Sequence, residues 1–187
     1  MSESEAWVVR HGETEWSRDG RHTSVTDLPL TDGGERVARE LAGRLTGTGF
    51  DLVLTSPRLR ARRTAELAGY PDAEVDDDLV EWSYGDYEGV TTAAIREQVP
   101  GWTIWTHPSP GGETHAQVGE RLDRVVARAR GVGGRILVFG HGHALRVLAA
   151  RWLDLPVGDG AHFKLDTATV SVLGYERETP VVLRWNS

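Results

Sequence analysis

The chain contains no cysteine, and among its 21 basic residues Lys164 is the single lysine. The first absence excludes disulfides, thiolate nucleophiles and cysteine-based zinc sites. The second makes arginine the default cation, so an arginine at a given place says little about guanidinium geometry, and position has to carry the argument. Long apolar runs are missing as well. No stretch approaches the ~20 residues of a membrane-spanning helix, and the opening "MSESEAW" has neither the basic nor the apolar region of a signal peptide. A cytoplasmic protein with no membrane partner is the expectation. A basic excess is also lacking: the net charge of -7 argues against a nucleic-acid partner.

What is present is an alternation of two periodicities. Residues 6–9 read as a strand, and 32–46 as a helix with Val37, Leu41 and Leu45 on one stripe and Thr31 as its N-cap. "DLVLT" at 51–55 is a second strand and 59–68 a second helix. Residues 73–80 hold at most a short strand. A helix over 117–130 carries Val118, Leu122, Val125 and Ala129 on its apolar side. The strand 136–139 then runs into a helix from about Ala144, and "ATVSVLGYE" and "PVVLRW" form two last strands. This order predicts an α/β fold, a three-layer α/β/α sandwich whose central sheet is mostly parallel. There is no internal repeat, and "HPSPGGE" at 107–113 reads as a loop and not a boundary, so 1–187 is expected to be a single domain. Val182, Leu183 and Trp185 leave two readings, a covered sheet edge or a homodimer contact.

In such a sheet, ligands bind beyond the carboxyl ends of the strands. Three strands deliver polar groups there. The first ends on Arg10, His11 and Gly12; the second leads to "TSPRLRAR", with Arg60 early in the next helix; the third ends on "FGHGHA", with His141. A lone histidine after a strand is usually a solvated or capping group, and Arg60 alone would be one face of an arginine-rich helix. Two imidazoles and several guanidiniums at one mouth, near helix N-termini, point instead to a phosphoryl ligand.

"VVRHGETEW" resembles the signature of the histidine phosphatase superfamily, with its phosphoglycerate-mutase-like fold. "TDLPLTDGG", "TSPRLRARRTAE", "LVEWSYGDYEG", "PGGET" and "VFGHGHALRVL" follow in the family's order, and the whole is similar to the small acid-phosphatase-like branch. The resemblance implies that His11 is the nucleophile that becomes phosphohistidine. It implies that Arg10, Arg60 and His141 hold the phosphoryl oxygens, with Ser17, Thr23 and Gly142 as further substrate contacts, and that Glu81 is the proton donor. Ser17 and Ser24 stand where many relatives carry Asn and Gly. The chemistry asks for a neutral His11, for Arg10, Arg60 and a protonated His141 to meet the transferring oxygens without metal or cofactor, and for a neutral Glu81 carboxyl. The apolar neighbours Leu79, Val80 and Trp82 are expected to favour that neutral form. His143 is expected to point to solvent, with its backbone N–H facing the anion.

Three rival readings fit the sequence less well. A phosphoglycerate mutase would need basic residues between Glu81 and His141 to grip a carboxylate, and 82–112 contains only Arg96. A metal hydrolase built on His11, His141 and His143 meets the adjacent arginines, which would repel a cation. A non-catalytic phospho-ligand module would normally lack the nucleophile or the acid. The favoured expectation is a phosphatase acting on a small phosphorylated metabolite. Whether Trp82, Trp102 and Trp105 contact that substrate or only pack is left open.

Overall fold

The computed structural model describes residues 4–187. Its elements are β1 (Glu5–Arg10), α1 (Glu15–Asp19), α2 (Asp32–Leu45), β2 (Leu52–Thr55), α3 (Leu59–Leu67), β3 (Glu74–Val75), α4 (Thr92–Gln98), α5 (His115–Val132), β4 (Arg135–Gly140), α6 (Gly142–Trp152), β5 (Val170–Glu176) and β6 (Thr179–Arg184). The strands form one six-stranded sheet in the order β3-β2-β4-β1-β5-β6. Pairing is parallel from β3 to β1 and antiparallel for β5 and β6.

Strand alternation sends successive side chains to opposite faces of the sheet. Ala6, Val8, Ile136 and Val138 join Val118, Leu122, Val125, Leu145 and Leu148 of α5 and α6 in one core. Val9, Leu137, Phe139 and Val170 join Leu41 and Leu45 of α2 and Ala65 and Ala68 in the other. The three-layer α/β/α sandwich is therefore as expected. On α2 the buried stripe is Gly34, Ala38, Leu41 and Leu45; Val37 lies beside it and is 37 % exposed. Thr31 caps this helix by accepting from the Gly34 N–H. Among the described residues no helix is long and apolar enough to cross a membrane.

Two helices carried no sequence signal. α1 buries none of its residues and α4 buries only Ile95, so neither has an apolar stripe to read. Both long helices also start early. α5 begins at His115 because Thr114 and Gln117 form a capping box. α6 begins at Gly142 although its N-cap residue His141 makes no side-chain cap bond.

β1 and β4 are neighbours, yet α2, the long helix that follows β1, packs on one face and α6, which follows β4, on the other. A crevice opens at such a reversal, beyond the carboxyl ends of the strands. The register Arg10↔Gly140 and Thr55↔Phe139 sets His11, His141 and Ser56 side by side along that edge.

Candidate active site

A cavity of about 220 Å³ lies in this crevice, walled by residues that include Arg10, His11, Ser17, Thr23, Glu81 and Gly142. Six sequence-identified residues thus meet in one wall. Arg60 and His141 lie beneath it, both fully buried.

His11 follows the last β1 residue and stays in the ladder through its N–H to the Gly140 carbonyl (3.0 Å). The turn behind it is tight. A Cβ on Gly12 would sit 2.8 Å from the Gly34 carbonyl oxygen, so glycine lets the turn lie against the start of α2, while Thr64 accepts from the Gly12 N–H. The His11 Nδ1 is 2.7 Å from the Gly12 carbonyl oxygen, and a carbonyl can only accept, so Nδ1 carries the proton and Nε2 the lone pair. Burial first, then the Arg60 and Arg10 guanidiniums, hold this imidazole well below the usual histidine range. His11 is neutral, as a nucleophile requires.

His141 departs from expectation. Its ring lies 5.2 Å from that of His11, and burial, then Arg60, His11 and Arg10, hold it well below the usual range too. The protonated His141 expected from the sequence is a neutral imidazole in the free site. Ser56 Oγ lies 2.7 Å from its Nε2, so with the hydroxyl donating there, Nδ1–H is left as a buried donor without a protein partner.

The two guanidiniums hang on neutral carbonyls. Arg10 Nη1 donates to Leu165 O at 2.6 Å. Arg60 donates to the carbonyls of Thr26 and Thr23 (both 3.1 Å) and Ser24 (3.3 Å). The Nε atoms of both are buried and unpartnered. With His141 Nδ1 and the Nε of Arg58, these make four of the six unpartnered buried side-chain atoms among the described residues, the others being Ser109 Oγ and Arg130 Nε, and such atoms are costly in a finished core. Arg62 is exposed and stands outside the cavity wall. Gly142 is small for a reason: a Cβ there would come 3.3 Å from the Arg10 guanidinium carbon.

Glu81 is buried, but not in the apolar setting expected for it. Its carboxylate accepts from the N–H groups of Trp82 (2.8 Å), His143 (3.0 Å) and Ala144 (2.8 Å). Glu81 is the missing cap of α6, supplied from a distant segment. The His143 N–H therefore faces Glu81 and not the anion, and its ring packs inward against Tyr84 and Trp105. Glu13 and Glu88 are engaged elsewhere. Glu13 accepts from Thr31 Oγ1, and Glu88 accepts from the N–H groups of Ser24 and Thr26. Burial raises the Glu88 pKa, but hydrogen bonds from Ser24 and Thr26 outweigh it and the net direction is down.

The sequence did not single out Arg21, His22, Thr92 and Arg146 as parts of the wall, which Tyr84 also lines. Arg146 had a legible signal, lying one turn along α6 from Gly142 and His143. His22 had none. Trp82 and Trp102 are both buried, and no tryptophan is part of the wall, although Trp105 packs behind His143. Arg96 donates to Trp102 O and lies outside the wall. Among the described residues no group of three or more His, Asp or Glu side chains is arranged to hold a metal ion.

The model of the histidine phosphatase superfamily (branch 1) matches residues 6–187. An acid phosphatase of Mycobacterium tuberculosis is 46 % identical over 174 residues, covering 90 % of this chain and 85 % of its own. A sedoheptulose 1,7-bisphosphatase of Saccharomyces cerevisiae is 40 % identical over 190 residues, covering 80 % and 68 %. The solved structure of an open reading frame from Mycobacterium tuberculosis superposes with a TM-score of 0.90 at 41 % identity, covering 98 % of this chain and 97 % of that one.

Proposed function

Because the chain belongs to the histidine phosphatase superfamily, we propose that it hydrolyses phosphomonoesters of small metabolites through a phosphohistidine on His11, without a metal ion. The tautomer of His11 carries this reading. With Nδ1–H held by the Gly12 carbonyl, the Nε2 lone pair attacks phosphorus, the P–O bond to the leaving group breaks, and Glu81 gives the departing oxygen a proton. In the second half Glu81 takes a proton from water, the hydroxide oxygen bonds to phosphorus, and the P–N bond returns its electrons to Nε2.

Arg10 and Arg60 supply positive charge to the equatorial oxygens, and the neutral His141 donates from Nδ1. A cationic imidazole is not needed. All three Glu81 hydrogen bonds come from backbone N–H groups. A phosphomonoester has a second pKa of about 6, and its monoanion brings one proton. This favours turnover on the mildly acidic side of neutral.

The test is phosphate release from a panel of phosphorylated metabolites by EDTA-treated protein. The expected result is activity that survives chelation and falls on the order of 10³-fold or more in His11→Asn. Activity lost in EDTA and restored by a divalent ion contradicts the metal-free reading.

A further inference from the structure

We propose that His143 is a specificity-determining residue of this cavity, donating from Nε2 to an oxygen of the leaving group and so favouring esters of polyhydroxylated alcohols over alkyl esters of the same length. The proposal rests on the phosphatase reading and extends it to the class of leaving group.

His143 sits where the leaving group must pass. Its backbone N–H is 3.0 Å from Glu81 Oε2, so its side chain springs from the residue that holds the proton donor. The ring is wedged in place. Trp105 meets it edge-on at 5.2 Å, Tyr84 at 5.7 Å, and His22 stacks at 6.2 Å. Behind it Arg146 lies 4.5 Å over the Trp105 ring and donates to the carbonyls of Gly160 and Ala161, which fixes Trp105 in turn.

The tautomer follows from the same contacts. Tyr84 Oη lies 2.6 Å from His143 Nδ1, and Tyr84 is 2 % exposed. The phenol makes no other hydrogen bond among the described residues, so a Nδ1–H donating to it would strand the phenolic proton in a buried setting. The satisfied arrangement has Tyr84 donating to Nδ1, which leaves the proton on Nε2. Burial directs both groups the same way, holding the imidazole neutral and the phenol protonated. Nε2–H takes no partner from the described residues, and His143 forms part of the cavity wall. A neutral donor fixed there matches a hydroxyl or carbonyl oxygen near the ester oxygen.

Glycerol 3-phosphate and n-propyl phosphate test this, since they share a chain length and differ in hydroxyls. Wild-type kcat/KM should favour the glycerol ester about tenfold, the scale of one directed hydrogen bond. His143→Leu should bring the ratio to about one, with the larger loss on the glycerol ester. His143→Gln, which keeps an amide donor, should restore part of the ratio. Tyr84→Phe should lower it by releasing the tautomer, and it stands as the independent probe should the leucine variant not fold. A ratio unchanged in both His143→Leu and Tyr84→Phe, or equal losses on the two esters, overturns the proposal. Wild-type protein that turns over neither ester nor p-nitrophenyl phosphate overturns the phosphatase reading itself, and this proposal with it.

Discussion

Arg121, Arg124 and Arg128 of α5 and the arginines at the strand ends have opposite surroundings. Arg121 makes a two-pronged pair with Glu113, Arg124 pairs with Asp78, and Arg128 pairs with Glu74 and Asp76. Arg10 and Arg60 hang on main-chain carbonyls, and among the described residues the one carboxylate within ion-pair distance of either is Asp27, 3.9 Å from Arg60. A guanidinium matched to a carboxylate has its charge answered within the protein. One held by neutral dipoles keeps its charge for a ligand. In a chain where arginine is the default cation, pairing separates these helix arginines from the two proposed to hold the phosphoryl oxygens better than residue type does. Arg121 shows the division of labour, since it also holds the Asp78 and Val80 carbonyls and so fixes the segment that leads into Glu81.

The largest expected break in this contrast comes from Glu81, the only carboxylate in the cavity wall among the described residues. Glu81→Gln should lower hydrolysis of alkyl phosphates by about 10²–10⁴-fold, the range of general acid–base assistance. Formation of phosphohistidine from p-nitrophenyl phosphate, read as a single-turnover burst, should fall far less because that leaving group needs no proton. Equal losses in that step for both leaving groups would place the acid elsewhere.

Arg60→Ala comes next, with about 10²-fold or more lost from kcat. A loss of stability accompanies the loss of activity. Arg60 is fully buried and ties down three carbonyls of the 23–26 loop, so urea unfolding should show a loss of about 1–3 kcal/mol as well. Near-normal kcat in a folded Arg60→Ala protein would move the functional guanidinium to Arg58, whose Nε is also buried and unpartnered.

A smaller effect is read in stability against pH. His11, His22, His141 and His143 all have pKa values pushed below 6.5, first by burial. The unfolded chain takes up protons below about pH 6.5 that the folded chain refuses. Stability from these groups is therefore full above that pH and lost as pH falls. Urea midpoints should drop between pH 6.5 and 5, and His143→Gln should flatten the slope of unfolding free energy by up to ~1.4 kcal/mol per pH unit. A flat profile in wild type contradicts this. Smallest of all, Arg128→Ala should change stability by only about 0.2–1 kcal/mol and leave kcat alone, because its pairs lie on the surface of α5.

The sheet, its two covering layers and the convergence of Arg10, His11, Arg60 and His141 were legible because they rest on periodicity and strand ends. What stayed hidden depends on contacts between distant segments. Glu81 looks apolar beside Leu79, Val80 and Trp82, yet the N-terminus of α6 surrounds its carboxylate with N–H donors. His141 looks like a cation beside an anion site until its burial against Arg60 and Arg10 is seen. His143 reads as solvated, and its lock by Tyr84 joins two segments that no local pattern links. α1 and α4 escaped for another reason, having almost no buried face.

In the proposed reaction a neutral His11, oriented by the Gly12 carbonyl, takes the phosphoryl group on Nε2. Rapid quenching of a reaction with ³²P-labelled phosphomonoester, followed by peptide mapping, tests it most directly. The predicted result is an acid-labile, alkali-stable label on His11, formed faster than steady-state turnover and absent in His11→Asn. Full turnover with no label on His11, or a label on another residue, would contradict it.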